Sequence, residues 1–446
     1  MGIVFNQSYK NIIIISIAIL IGAINTLYFY PVFLKEEYYG LVVFLLATSN
    51  LLMPLVAFGS QHTIIKFYSS YSNKDERNSF MSSVIFIPLL TILPITFLVI
   101  KFHDLIGNFL KEIFPRLSIF SLLICVYLNI ITKEDFVWWL TGFYYLRLLI
   151  MIIYSFSLYI PKIKFSLPSN IKSILTYSFF IFLAGSAASI LIDIDKFMIP
   201  QKEVISQTAF YAVAVFIATV VEIPGRAMFQ IINPLVAKAL NENDTKELSN
   251  LYSKSSINLL IVAGLFFLLI NINIDPFYEL MSNPSYGDAI WVVLMISLSK
   301  LILMSFGCGP AILATAKFYK ITLPFSILMA ISVYFLNDVL IDIYSINGAA
   351  LSTLLVVSIF TIVKIVYIKF KLNISPYSVH SLKVLLIICA IYFLFEFIAF
   401  RLSNILEILI NTLLIAAIYS FLIYKSKSSE AINSFINNLL KGKLRL

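Results

Sequence analysis

"SILTYSFFIFLAGSAASILIDIDKFMIP", Ser173 to Pro200, frames the reading of this chain. No charged residue stands between Lys172 and Asp193, a run of 20 residues. As a helix, that run spans a hydrocarbon core of about 30 Å. Asp193, Asp195 and Lys196 then arrive within four residues. Each charge held in lipid costs roughly 2.5–3.5 kcal/mol, so charges placed there usually have a task. Three readings are open: an acidic D-x-D motif, a transport site, or the point where a helix leaves the membrane. Asp193 and Lys196, at i and i+3, share a helical face and can pair.

Similar runs recur along the chain. Of its 446 residues, 60% are hydrophobic and 12% charged, with a mean hydropathy of +0.95. Soluble domains carry about 25% charged residues. The fold expected is all-α, a polytopic membrane protein with about 12–14 spans in two pseudo-repeated helix bundles around a central cavity. Spans are read at 11–34, 41–65, 80–102, 117–132, 137–160, 173–198, 208–235, 255–274, 288–316, 318–341, 346–370, 379–400 and 402–424. The apolar run after Lys10 is too long for a signal peptide and lacks a small-residue cleavage site, so it reads as a retained first span.

The net charge of +9 does not point to nucleic acid. Lysine and arginine gather between the apolar runs and in the tail 425–446, as the positive-inside rule requires of cytoplasmic segments. Within that tail, "SSEAINSFINNLLKGKLRL" reads as an amphipathic helix on the lipid surface. Cys125, Cys308 and Cys389 all sit in apolar runs without C-x-x-C spacing, and His62, His103 and His380 are scattered. Neither a disulfide framework nor a metal site is indicated, and no cofactor is expected. Nucleophile-elbow, Walker and zinc signatures are absent from the sequence.

Walking backwards from a cytoplasmic tail makes 371–378, 317–320, 241–254 and 161–172 cytoplasmic and 275–287 external. The last holds Asp275 and Glu279 but no lysine or arginine. Walking forwards from a cytoplasmic N-terminus places 66–79 inside, but three further spans would put 161–172 outside. Residues 80–160 therefore do not parse as simple crossings, and 117–132 is the weakest span. A faint repeat relates "YGLVVFLLATSNLLMP" from Tyr39 to "YAVAVFIATVVEIPG" from Tyr211. Internal duplication is common in transporters.

Four ionisable residues stand deep within spans: Arg147, Lys300, Glu222 and Arg226. Glu222 and Arg226, at i and i+4, form either a structural ion pair or part of a cavity. Arg147 and Lys300 have no partner nearby in sequence. Three cations and one anion favour a positive field suited to an anionic cargo. Pro224–Gly225 and "SFGCGPA", Ser305 to Ala311 and including Pro310, interrupt helices in lipid. They are candidate hinges or, equally, static kinks. Asn25 and Asn50 line a path or make interhelical hydrogen bonds.

Four stretches resemble the oligosaccharide and polysaccharide flippases of the MOP exporter superfamily, including the Wzx-type O-unit flippases. They are "FLKEEYYGLVVFLLA" from Phe33, "GSQHTIIKFYS" from Gly59, "DIDKFMIPQKEVISQTAFYAVAVFIA" from Asp193 and "SINGAALSTLL" from Ser345. The resemblance implies an N-terminal lobe over 1–172, a C-terminal lobe over 173–371, two additional helices over 372–424 and a basic cytoplasmic tail over 425–446. Two departures stand out: five clear spans where the family's first lobe has six, and Ala209 where the family often has glycine.

The resemblance further implies a non-enzymatic transporter in the bacterial inner membrane. It would move an undecaprenyl-pyrophosphate-linked oligosaccharide from the cytoplasmic to the periplasmic leaflet for O-antigen or other surface polysaccharide. Its partners would be the lipid-linked cargo, the bilayer, and the polymerase and glycosyltransferases of the same pathway. Arg147, Lys300 and Arg226 are the expected cargo contacts. Glu222, Asp195 and Lys196 are the expected ion-coupling or gating residues, with Pro224, Gly225 and Pro310 as hinges.

Two rivals remain. A multidrug exporter of the same superfamily would favour buried carboxylates over cations. A membrane polymerase or glycosyltransferase would need a sizeable external loop, and the external loops read here hold about a dozen residues at most.

Overall fold

A computed structural model describes residues 22–60, 63–64, 75–84, 86, 139, 142, 146, 149, 168, 170–281, 283–396 and 403–440. Among them there is helix and no strand. This follows from the solvent: lipid offers no partner for backbone N–H and C=O groups, so each segment must satisfy its own.

The described residues divide into two compact units. One runs from Phe29 to Ala209 and includes Ser326–Tyr334. A π-helical stretch, Asn25–Leu34, enters it at Phe29, contains Pro31 and leads into α1, Lys35–Ala57. Proline cannot donate to an i−4 carbonyl, and a widened turn is one way a helix accommodates it. α1 closes at Phe58 in the left-handed region, where its N–H donates to the Pro54 carbonyl. The helix therefore ends earlier than the span expected at 41–65.

Against α1 packs α2, Ile171–Lys202, the opening stretch of the sequence. The rings of Phe44 and Phe197 stack at 5.7 Å, and those of Phe58 and Phe182 at 5.3 Å. α2 bends by 43° between Ala187 and Ser189. It also runs on to Lys202, so Asp193 and Asp195 lie inside a helix and not at its end.

The other unit gathers the described residues up to Tyr28, Phe210–Phe325 and Phe335–Leu446. From Ile205 onward the helices are α3 (Ile205–Thr219), α4 (Ile223–Asn241), α5 (Thr245–Ile272), α6 (Ile274–Glu279), α7 (Ile290–Ser305) and α8 (Gly309–Thr315). There follow α9 (Thr322–Tyr344), α10 (Ile346–Leu372), α11 (Val379–Glu396), α12 (Asn404–Ser426) and α13 (Glu430–Leu440). α5 is the central element, packed on α4, α7, α11 and α12. Leu260, Ala263, Phe267 and Leu268 of α5 meet Leu301 and Met304 of α7, Ile388 and Ile391 of α11, and Ile415 and Tyr419 of α12. Polar groups inside this core are bonded across helices. Tyr419 Oη donates to the Ile261 carbonyl at 2.8 Å, and Asn271 Nδ2 to Ser297 Oγ at 2.9 Å.

Six helical segments among the described residues are long and apolar enough to cross a membrane: Ile205–Arg226, Thr245–Ile272, Ser285–Ser305, Thr322–Tyr344, Ile346–Leu372 and Asn404–Ser426. The bent pair in α2 makes a seventh if counted as one span, and α11 is a shorter apolar helix.

α9 and α10 meet at a single residue, Ser345, with φ 53°. Gly348 of "SINGAALSTLL" lies against the backbone carbonyl of Leu340, where a Cβ would collide. The expected 288–316 span is broken. α7 ends at Ser305 and α8 starts at Gly309, with Gly307 at φ +58°. The break is tightly bonded to α5. Ser256 Oγ donates to the Ser305 carbonyl at 2.6 Å, and the Cys308 N–H donates to Ser255 Oγ at 2.9 Å. Pro310 occupies the first turn of α8, where its missing N–H costs no intrahelical bond.

Candidate functional site

Glu222, Arg226 and Lys300 converge in the unit built on α5. The α3 helix tightens into a single 3₁₀ turn, Val220–Glu222, before α4 begins. Pro224 falls in the first turn of α4, the position where proline is pre-organised for a helix. Gly225 is buried, and a Cβ there would strike the Met304 sulfur of α7. The 3₁₀ turn that carries Glu222 packs on α7, which brings Arg226 and Lys300 to the same carboxylate.

Arg226 Nη2 lies 2.5 Å from Glu222 Oε1, and Lys300 Nζ lies 2.9 Å from Glu222 Oε2. Each carboxylate oxygen thus serves one cation, and the group of three carries a net positive charge. Exposure is graded: the side chains of Glu222, Lys300 and Arg226 are 17%, 26% and 56% accessible. The anion is the inner member, and the guanidinium presents donors outward. A planar guanidinium beside a lysine suits a phosphate-type oxyanion, which takes bidentate hydrogen bonds from arginine and a point charge from lysine.

In the other unit, Asp193 is held by two partners. Lys196 Nζ lies 2.7 Å from Asp193 Oδ1, and Asn50 Nδ2 of α1 donates to Oδ2 at 3.0 Å. Lys196 also donates to the Ile192 carbonyl at 3.3 Å. Asp193 and Asp195 are both buried.

The residues singled out in the sequence therefore separate into groups. Glu222, Arg226, Pro224 and Gly225 share one locality with Lys300. Asp195 and Lys196 stand with Asp193 on α2. Pro310 stands at the α7–α8 break, and Arg147 lies outside the described residues. Lys300, which has no partner nearby in sequence, pairs with Glu222 from another helix. Asn50, one of two candidate path residues, makes an interhelical hydrogen bond. The serines that close the α7–α8 break, Ser255 and Ser256, carry no signal in the sequence that marks them out.

No family model matches the sequence, and no curated protein matches it. Among solved structures, the chain matches one described as "Lipid II flippase MurJ, inward closed conformation". The match has a TM-score of 0.60 and covers 93% of this chain and 99% of that one. The chain has the MurJ fold. At 18% identity the two sequences share architecture far more than residues. The expected all-α polytopic class is the one found.

Proposed function

We propose that this protein is a flippase for a lipid-linked oligosaccharide carried on undecaprenyl pyrophosphate. It moves its cargo from the cytoplasmic to the periplasmic leaflet of the bacterial inner membrane for surface polysaccharide such as O-antigen. The observation that carries this reading is the net-positive Glu222–Arg226–Lys300 group, set within apolar helices of a chain with the MurJ fold. A pyrophosphate and its sugars cannot cross lipid unaided, because they would lose their water without replacement. Arg226 and Lys300 replace that water at the phosphates, with Arg147 as a third contact. Glu222 holds both cations in place and charge-compensates them when cargo is absent.

Alternating access then needs moving parts. In this reading the helices flex at Pro224–Gly225 and at Pro310, and Asp195 with Lys196 gates or couples the motion. The lobes at 1–172 and 173–371, the helices at 372–424 and the tail at 425–446 form the working divisions. Polymerase and glycosyltransferases of the same pathway supply and consume the cargo. Surface-glycan display in cells lacking the gene tests the proposal. Wild-type protein should restore display, and a double Arg226→Ala, Lys300→Ala variant present in the membrane at equal level should not. Restored drug resistance without restored glycan would favour the multidrug exporter.

A further inference from the structure

A second polar site lies at the end of the molecule where α12 gives way to α13. A cavity of about 640 Å³ opens between α5, the start of α11 and the α12–α13 junction. Three different elements bring nitrogen cations or bases to it: Lys254 from α5, His380 from the first turn of α11, and Lys427 from the cap of α12. Glu430 is the single carboxylate in the lining, so the balance of charge is positive.

The floor is fixed. Ser428 and Ser429 are buried. Ser429 Oγ donates to Asn258 Oδ1 of α5 at 2.6 Å and accepts from the Ile432 N–H at 3.3 Å. Lys427 adopts φ 50°, a left-handed conformation that non-glycine residues rarely take. That conformation turns the chain between α12 and α13. Ile432 of α13 packs onto the core around α5 and α12, so the short helix is docked and not trailing.

Positively charged loops place this end of the molecule at the cytoplasmic face. Two of the lining elements, α11 and α13, begin here, and helix starts add partial positive charge. We infer that this cavity binds the phosphate group of an anionic phospholipid of the cytoplasmic leaflet. Lys254 and Lys427 supply the charge, and His380 with the exposed Ser434 supplies hydrogen bonds. The same chemistry would accept free inorganic phosphate. The site shares no residue with the Glu222–Arg226–Lys300 group and stands whatever that group carries.

The test uses full-length protein purified in detergent, with native mass spectrometry to count retained phosphatidylglycerol against phosphatidylcholine. A lysine near an anionic lipid surface contributes about five-fold in affinity, so Lys254→Gln with Lys427→Gln should cut phosphatidylglycerol retention about 25-fold. The Lys254→Arg, Lys427→Arg variant should retain it, and so should Lys441→Gln with Lys443→Gln, which lowers the tail's charge and changes no residue of the described lining. Thermal protection by inorganic phosphate, lost in the glutamine variant, would assign the phosphate chemistry to a soluble source. Unchanged retention in the glutamine variant with no phosphate protection would overturn the inference. Equal loss in the tail variant would also overturn it, because the effect would then be general charge.

Discussion

At the scale of single residues, the account turns on one carboxylate shared by two cations. Removing either cation should cost translocation and leave the fold intact, because Arg226 is half exposed and Lys300 partly so. Losing a charge-assisted hydrogen bond to an oxyanion is worth about 1.5–3 kcal/mol, or roughly 10- to 100-fold. Lys300→Ala should therefore slow cargo movement by that factor, and Lys300→Arg should recover most of it. Initial rates on reconstituted protein measure both. Glu222→Gln acts differently. It leaves Arg226 and Lys300 adjacent with no anion between them, so it should destabilise the protein itself by about 1–3 kcal/mol, read from thermal melts in detergent.

The individual charges were legible in the sequence, because a charge inside an apolar run is conspicuous against the cost of placing it there. The Glu222–Arg226 relation was legible too, since i and i+4 lie on one helical face. The pairing of Lys300 was not, because its partner is supplied by the packing of the 3₁₀ turn Val220–Glu222 on α7, a contact between segments far apart in sequence.

At the scale of elements, helix breaks separate into bonded joints and capped starts. The α7–α8 break is a bonded joint. Gly307→Ala would place a Cβ at positive φ against the Ser256 backbone and Ser255 Oγ. It should cost about 2–4 kcal/mol, combining the left-handed penalty with overpacking. Pro310→Ala, in the first turn of α8, removes no clash and restores one N–H. Its effect should stay within about 1 kcal/mol, confined to the added freedom of the unfolded chain. Paired melts of the two variants check this, and equal losses would contradict the assignment of the joint to Gly307. Hydropathy revealed that spans exist, because apolar length is its own signal. Hydropathy alone did not show where they break; the glycines and proline of "SFGCGPA" marked this break, while Ser255 and Ser256, which bond it, carried no mark. The extension of α2 to Lys202 was hidden for a similar reason. Its charged end reads as a membrane exit, while Asn50 and Lys196 in fact satisfy Asp193 within the packed helix pair.

At the scale of the whole molecule, orientation and cargo are the claims that matter. The lack of lysine and arginine in 275–287 and the basic tail predict opposite faces of the membrane. Glu279→Cys should react with a membrane-impermeant maleimide in intact cells, and Lys427→Cys should react only after the cells are opened. Labelling of Lys427→Cys alone in intact cells would reverse the topology, and labelling at both positions would contradict opposite faces. The fold class was legible from composition and from the four resembling stretches, and the match over nearly the full length of MurJ agrees with it. The cargo is a different matter, since no residue pattern names a sugar and the phosphate contact proposed for the cationic group would be the same whatever is attached. The most direct measurement is translocation of a fluorescent undecaprenyl-pyrophosphate-linked oligosaccharide in proteoliposomes that contain only the purified protein. The account predicts leaflet exchange by the wild type that is lost with Arg226→Ala and Lys300→Ala together. Absence of exchange by the folded wild type, or full exchange by the double variant, would contradict it.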